Sequence, residues 1–463
     1  MARPKALSGF PEWLPPQRMI EQQLLDQLQQ VFELHGYVPL ETRAVEPLEH
    51  LLSKGETSKE VYLLRRLQED NEDGGAAGES PAGASPTDGN QLGLHFDLTV
   101  PLARYVLEHA GKLQFPFKRY QIQKVWRGER PQDGRFREFY QVDIDVIGAD
   151  TLPYHFEVEV PLVMAKALAQ LPIPPIRMRI NNRKVAEGFY RGLGLTDTQE
   201  VLREIDKLAK IGADAVLEAL QSAAGANAEQ AQACLELAQI TGETSAVTDQ
   251  VRALAQRYGV ESELLETGLT ELAQLLDAAQ EDLAGIVIAD LSVARGLDYY
   301  TGSVYETELV GHEDLGSICS GGRYDELASD GKNTYPGVGM SIGLSRLISR
   351  LFRQELVTVS RSVPTAVLVA VGSEDERAAS NRIANALRDR GIAAETSPNA
   401  AKFGRQIRYA DRRGIPFVWF IGAGEDGSDQ IKDIRSGDQH AADAASWQPP
   451  AADLRPRIEA AEA

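Results

Sequence analysis

Apolar residues recur at every fourth position near the start of the chain. Ile20, Leu24, Leu28 and Phe32 share one face of "PPQRMIEQQLLDQLQQVFELHGY", which predicts an amphipathic helix stopped at Gly36. The stretch after it, "VPLETRAVEP", reads as extended, and residues 94–185 read as strands and short helices. From about 186 to 285, alanine- and leucine-rich runs such as "QEVLREIDKLAKIG" and "EQAQACLELAQI" predict a helical insert. Strand patterns return in "GIVIADLSVARGLDYYTGSVYETEL" and lead into a helix in "GLSRLISRLFRQEL".

A boundary falls near "TVSRSVP", residues 358–364. Beyond it, "TAVLVAVG", "ERAASNRIANALRDRG", "IAAETS", "KFGRQIRYADRRG" and "PFVWFIG" alternate strand with helix. The predicted layout is a core in two parts, 1–185 and 286–357, around a helical insertion at 186–285. A small α/β domain follows at 364–440, then a tail at 441–463 expected to fray. Within the first part, residues 69–91 are Gly, Ala, Ser and acidic with almost no large apolar side chain, the signature of a flexible surface insertion.

Composition narrows the class. The chain has 463 residues, 43% of them apolar, enough for a large core. Its net charge of -20 argues against nonspecific nucleic-acid affinity over the whole surface, so a nucleic-acid partner would need local basic patches. Two distant cysteines and seven scattered histidines suggest neither a disulfide framework nor a zinc site. No apolar run suits a signal peptide or approaches the ~20 residues of a membrane span, so the chain reads as soluble and cytoplasmic.

Candidate chemistry concentrates in "FKRYQIQKVWRGERPQDGRFREFYQVDIDVIG", residues 117–148. In its second half Tyr140, Val142, Ile144 and Val146 alternate with Arg137, Phe139, Gln141, Asp143 and Asp145. The first set reads as core. A solvated sheet face is the commoner explanation of the second set, but an aromatic, an arginine, an amide and carboxylates together suit a nucleotide and a zwitterion. Phe139 can stack a base, Arg127 and Arg137 can clamp phosphate, and carboxylates can hold an ammonium. In "YPGVGMSIGLSRL", glycines 337, 339 and 343 permit close approach, and Arg346 falls in the first turn of the following helix, where an anion would be stabilised.

These segments resemble the class II aminoacyl-tRNA synthetases, and within them the histidine branch. "VWRGERPQDGRFREF" looks like the second motif of that family and "GVGMSIGLSRL" like the third. "RGLDYYTG" (295–302) and "SGGRYDEL" (320–327) resemble segments particular to the histidine enzymes, and "FDLTVPLARY" (96–105) resembles their amino-acid-binding segment. The resemblance implies an antiparallel sheet flanked by helices (an α/β, or α+β, catalytic core), a helical insertion, a C-terminal α/β anticodon-binding domain and a homodimer. Two departures stand out: Arg43 occupies a position commonly given to proline in the first motif, and Asp145 stands where bacterial relatives carry glutamate.

What the family does then implies roles. Histidine and ATP would give histidyl-adenylate, and the histidyl group would pass to the 3' end of histidine tRNA. Arg295 would lie between the histidine carboxylate and the α-phosphate, with Arg127 also on that phosphate. Asp97, Thr99 and Gln141 would bind the α-amino group, with Leu98 also in the histidine site, Asp145 would accept an imidazole N–H, and Tyr299 and Tyr300 would wall the ring. Asp298 would orient neighbours, and Gly296 and Gly302 would let the loop turn tightly. ATP would meet Glu129 at its adenine amino group, Phe139 on the ring, and Arg137 and Arg346 on the phosphates, with Mg2+ bridging phosphate oxygens. Arg130 and Gln132 at the hairpin tip would contact tRNA. So would the basic helix that carries Lys402, Arg405, Arg408, Arg412 and Arg413, although a solvated helix is about equally consistent with its composition. The regulatory subunit of ATP phosphoribosyltransferase resembles the same core and is the alternative reading. It typically lacks an intact "RGLDYYTG" arginine segment and the C-terminal domain, both of which are present here.

Overall fold

A computed structural model describes residues 4–52, 60–65, 91–296, 299–329 and 331–460. Apart from Gln91, the expected insertion at 69–91 lies outside the described residues, as does Asp298. The chain divides into two compact units, Met1–Pro11 with Gln27–Arg350, and Glu12–Asp26 with Leu351–Ala463.

The fourfold periodicity of the N-terminal segment forms helix α1, Pro15–Leu34, with Ile20, Leu24, Leu28 and Phe32 buried. It ends at Leu34, two residues before Gly36, whose φ of +79° is the left-handed conformation that favours glycine after a helix.

The first unit is organised on a nine-stranded sheet. Its strands are β1 (Val38–Pro39), β2 (Phe117–Trp126), β3 (Glu138–Ile147), β4 (Ile176–Asn182), β5 (Thr241–Gly242), β6 (Val287–Asp290), β7 (Ser303–Leu309), β8 (Cys319–Tyr324) and β9 (Gly337–Gly343). They lie in the order β1-β2-β3-β9-β8-β7-β4-β6-β5. Pairing is antiparallel, as expected of the core, except for parallel pairs towards the two ends of the sheet, between β1 and β2 and between β4 and β6. Helices α2 (Thr99–His109) and α3 (His155–Ala169) precede the insertion. The alanine-rich region forms α4 (Arg183–Gly192), α5 (Thr198–Ile205), α6 (Ala213–Ser222), α7 (Ala228–Ala238), α8 (Val247–Arg257) and α9 (Glu263–Ala279). Asn182, Asp197, Asn227 and Ser262 cap four of these through side-chain oxygens.

β3 departs from simple alternation in an informative way. It is buried on both faces from Gln141 onward. The polar face is not solvated, because Arg119 from the adjacent strand β2 and Tyr324 from β8, one strand beyond β9, close over it.

In the second unit β10 (Val357–Val359) is followed by β11 (Val367–Val369), α11 (Arg377–Asp389), β12 (Ala394–Thr396), α12 (Phe403–Arg412), β13 (Phe417–Phe420), β14 (Gln430–Asp433) and β15 (Gln439–Ala441), while α10 (Leu344–Arg353) spans the division in sequence. The sheet order is β12-β11-β13-β14-β15, parallel among the first three strands and antiparallel after them. The tail expected to fray from 441 is instead packed. Trp447 meets Phe417 and Trp419 edge-on, Arg390 donates to the carbonyls of Ala444, Ser446 and Trp447, and β16 (Ile458–Ala460) pairs with β10. Composition alone concealed this because the anchoring rests on a few residues, Trp447 against the aromatic core and Asp453 held by Arg435 and, at its carbonyl, by Arg361.

Candidate active site

The register of the sheet builds the floor of the site. Across six strands Arg179, Glu306, Ser320, Ser341, Asp143 and Gln121 are successive partners. One row along, Gly322, Gly339, Asp145 and Arg119 are aligned in the same way. The first row is polar and the second is hollowed by its glycines. A Cβ on Gly339 would fall 2.0 Å from Asp145 Oδ1, and one on Gly322 would fall 2.8 Å from the Tyr300 ring. Glycine is therefore what lets the carboxylate and the ring lie down on the sheet.

Above the polar row opens a cavity of about 310 Å³, lined by Arg127, Glu129, Arg135, Phe139, Gln141, Arg295, Cys319, Ser320, Ser341 and Arg346 among others. Four arginines against one glutamate in that wall make an anion site. The Arg127 guanidinium stands 5.2 Å from the centre of the Phe139 ring, and its Nε donates to the Phe96 carbonyl at 3.0 Å, which ties the hairpin to the segment before α2. Arg295 grips Glu306 through Nε and Nη2, with Nε 2.9 Å from Oε1, and Arg179 holds the other Glu306 oxygen at 2.9 Å. Burial lowers the Arg295 pKa, and Glu306 together with Asp206 more than reverses it, for a net rise.

Arg346 differs. Burial, then Arg135 and Arg295, pull its pKa below the usual arginine value. Its Nη2 donates to the Leu315 carbonyl, but its buried Nε has no hydrogen-bond partner among the described residues. An arginine crowded by like charge, with a buried donor left over, is suited to a bound anion. Gln141 donates to Ser341 Oγ at 2.8 Å and leaves its own Oε1 unpaired among the described residues, an acceptor available beside the cavity.

Of the residues singled out from the sequence, Arg127, Glu129, Phe139, Gln141, Arg295 and Arg346 come together in this wall. Arg137 does not line it; its Nε donates to the Glu129 carbonyl at 3.1 Å, so it shapes the hairpin from behind. Asp97, Leu98 and Thr99 sit at the start of α2, where Asp97 Oδ1 accepts the Val100 N–H at 3.1 Å and Leu98 is fully buried. Asp145 lies beneath, and Tyr324 donates to it at 2.6 Å. Tyr299 and Tyr300 pack together, ring centres 4.2 Å apart, against the cluster that includes Leu102, Val106 and Tyr324. Gly296, at φ +60°, is the turn that admits them: a Cβ there would fall 2.0 Å from the Tyr300 ring. Gly302 is similarly close to Glu157 and Arg323. Arg130 and Gln132 are exposed at the hairpin tip, and Lys402, Arg405 and Arg408 are exposed in the second unit.

Sequence reasoning missed Glu306, Arg179, Arg135 and Arg119. Glu306 sits in the alternating run "SVYETEL", where it reads as an ordinary strand carboxylate. Its partnership with Arg295 depends on a loop reversal that no local pattern encodes.

The geometry has counterparts among known proteins. The family model described as Histidyl-tRNA synthetase matches residues 9–347, and that described as Anticodon binding domain matches residues 365–446. A histidine–tRNA ligase of Micrococcus luteus is 57% identical over 464 residues, covering 100% of each chain, and that of Bifidobacterium animalis subsp. lactis is 56% identical, covering 97% of each. The crystal structure of histidyl-tRNA synthetase from a Nostoc species superposes with a TM-score of 0.84 at 37% identity, covering 96% of this chain and 98% of that one. A Bacillus halodurans chain described as ATP phosphoribosyltransferase regulatory subunit/histidyl-tRNA synthetase shares the fold, with a TM-score of 0.69 at 19% identity over 87% of this chain and 96% of that one. Sheet, cavity and matches together define an aminoacyl-tRNA synthetase. Within that class, the chain belongs to the histidyl-tRNA synthetase family.

Proposed function

We propose that this chain activates histidine with ATP to histidyl-adenylate and transfers the histidyl group to the 3' end of histidine tRNA. The observation that carries the reading is the convergence of Arg127, Arg295 and Arg346 with Phe139 and Gln141 on one cavity. Likeness to catalytic relatives along the full length supports an active enzyme over the regulatory alternative.

The attacking carboxylate of histidine is already ionised at neutral pH, so the step needs no general base. What it needs is two anions brought together in line and charge stabilised on the α-phosphate. Arg295 meets that requirement, standing between the histidine carboxylate and the phosphate while Glu306 fixes its plane. Arg127 takes the α-phosphate, Arg346 the outer phosphates, Phe139 the adenine face, and Glu129 the adenine amino group. Arg137 acts by holding the hairpin. Magnesium arrives on the triphosphate as part of the substrate.

Gln141, with Asp97 and Thr99, receives the α-ammonium, and Leu98 closes the buried start of α2 behind them. Asp145 accepts one imidazole N–H, and Tyr299 and Tyr300 wall the ring. An amino acid without that N–H forgoes this charge-assisted contact in a buried site, which is the basis of discrimination. Arg130 and Gln132 are assigned to the acceptor end of the tRNA, and Lys402, Arg405 and Arg408 to its phosphates. We place the working form as a homodimer in the cytoplasm; no helix among the described residues is long and apolar enough to cross a membrane.

ATP–pyrophosphate exchange with each of the twenty amino acids tests the reading. Exchange with histidine alone is expected. Exchange with another amino acid instead, or none with any, would refute it.

A further inference from the structure

Beneath the cavity lies a buried charge cluster of which the proposed activation step uses only Asp145. Asp143 and Asp145 are two apart on β3, so their side chains leave the same face, at 2% and 3% exposure. Arg119, directly across from Asp145 in the β2–β3 register, is wholly buried. Its Nη2 lies 2.7 Å from Asp145 Oδ2 and 4.0 Å from Asp143 Oδ2. The Tyr324 hydroxyl donates to the other Asp145 oxygen at 2.6 Å. Arg119 Nε, Nη1 and Nη2 and Asp143 Oδ1 all lack a hydrogen-bond partner among the described residues, so Arg119 meets Asp145 as a close charge contact rather than through an aligned N–H. One cation thus serves two carboxylates.

Two buried carboxylates this close resist ionising together unless a cation offsets them. With Arg119 nearer Asp145, Asp143 carries the strain: burial pushes its pKa up to about 7, Arg119 opposes the rise, and Asp145 adds to it. Without the arginine, the proton that one carboxylate must take can settle on Asp145. A protonated Asp145 presents a donor where an imidazole N–H needs an acceptor. Lysine would restore a cation but not the guanidinium whose Nη2 faces both carboxylates.

We infer that Arg119 is a positioning residue for amino-acid selection: it holds Asp145 as an ionised acceptor under the imidazole and so sets specificity for histidine while touching neither substrate. The inference rests on Asp145 being the imidazole partner, as proposed above.

The test measures exchange kinetics, with separate KM values for histidine and ATP, in the parent, Arg119→Met, Arg119→Lys and the double variant Arg119→Met with Asp143→Asn. Thermal melts confirm folding. Arg119→Met should raise the histidine KM about tenfold or more while the ATP KM stays within about twofold. Arg119→Lys should be intermediate. The double variant should recover part of the histidine KM, because one carboxylate no longer competes for the proton. Equal rises in both KM values, or no recovery in the double variant, would overturn the role. If Arg119→Met does not fold, Arg119→Lys decides alone, and an unchanged histidine KM overturns the role. A parent without histidine-dependent exchange would overturn the underlying reading of the site, and the role of Arg119 with it.

Discussion

Glu306 and Arg295 are joined side by side, with Arg295 Nε 2.9 Å from Glu306 Oε1 and Nη2 on the same oxygen, while Arg179 holds Glu306 Oε2 at 2.9 Å. Glu306 is almost buried and Arg295 is nearly half exposed at its side chain, 7% against 46%. The carboxylate is the fixed member, and the arginine projects from it toward the cavity.

Replacing Glu306 by Gln keeps the size and removes the charge. Arg295 then loses its carboxylate anchor, while Arg179 keeps Asp290 at 3.2 Å and Glu308 at 3.6 Å. The rate of histidine activation is expected to fall by about 10- to 100-fold, the scale of a misplaced reacting group, with the histidine KM changed by less than about threefold. Steady-state exchange measures both quantities, and an unchanged kcat would contradict this role for Glu306.

How much of this could be read in advance varied with the range of the interaction. The α1 stripe, the hairpin of β2 and β3 and the alternating second unit all follow from local periodicity, and they stand where the pattern puts them. Arg127, Phe139 and Gln141 were legible because one strand and its preceding turn carry them at fixed spacing. Glu306 and Arg119 were not, because each matters only through a partner on another element. Arg137 shows the converse: the alternation marks it as a site residue, yet its side chain ends on the Glu129 carbonyl, because β3 begins only at Glu138.

Asp143 predicts a pH-dependent stability. Its folded-state pKa is raised, by burial first, to about 7 from an ordinary 3.8. Between those values the folded protein holds a proton that the unfolded chain releases, so this group's contribution to stability falls as pH rises and is gone above about 7. Asp143→Asn removes the dependence. Relative to the parent, the variant should gain on the order of 2 kcal/mol more stability at pH 8.5 than at pH 5. Denaturant melts at the two pH values measure the difference, and equal gains at both would contradict the assignment.

The basic helix α12 predicts a separation of activities. Arg405 and Arg408 are exposed on it. Changing both to Gln should raise the KM for tRNA in aminoacylation by about tenfold and reduce the slope of log affinity against log salt by about one for each phosphate no longer neutralised. ATP–pyrophosphate exchange, which needs no tRNA, should be unchanged. A tRNA KM and salt slope equal to the parent's would remove this helix from the tRNA surface.

The central claim is that Arg295 stabilises the charge formed as histidine attacks ATP. Rapid-quench measurement of histidyl-adenylate formation in a single turnover, comparing Arg295→Ala with the parent at saturating histidine and ATP, tests it most directly. The rate of that step is expected to fall by about 100-fold or more, with histidine binding by calorimetry weakened by no more than about tenfold. A rate within about twofold of the parent would contradict it.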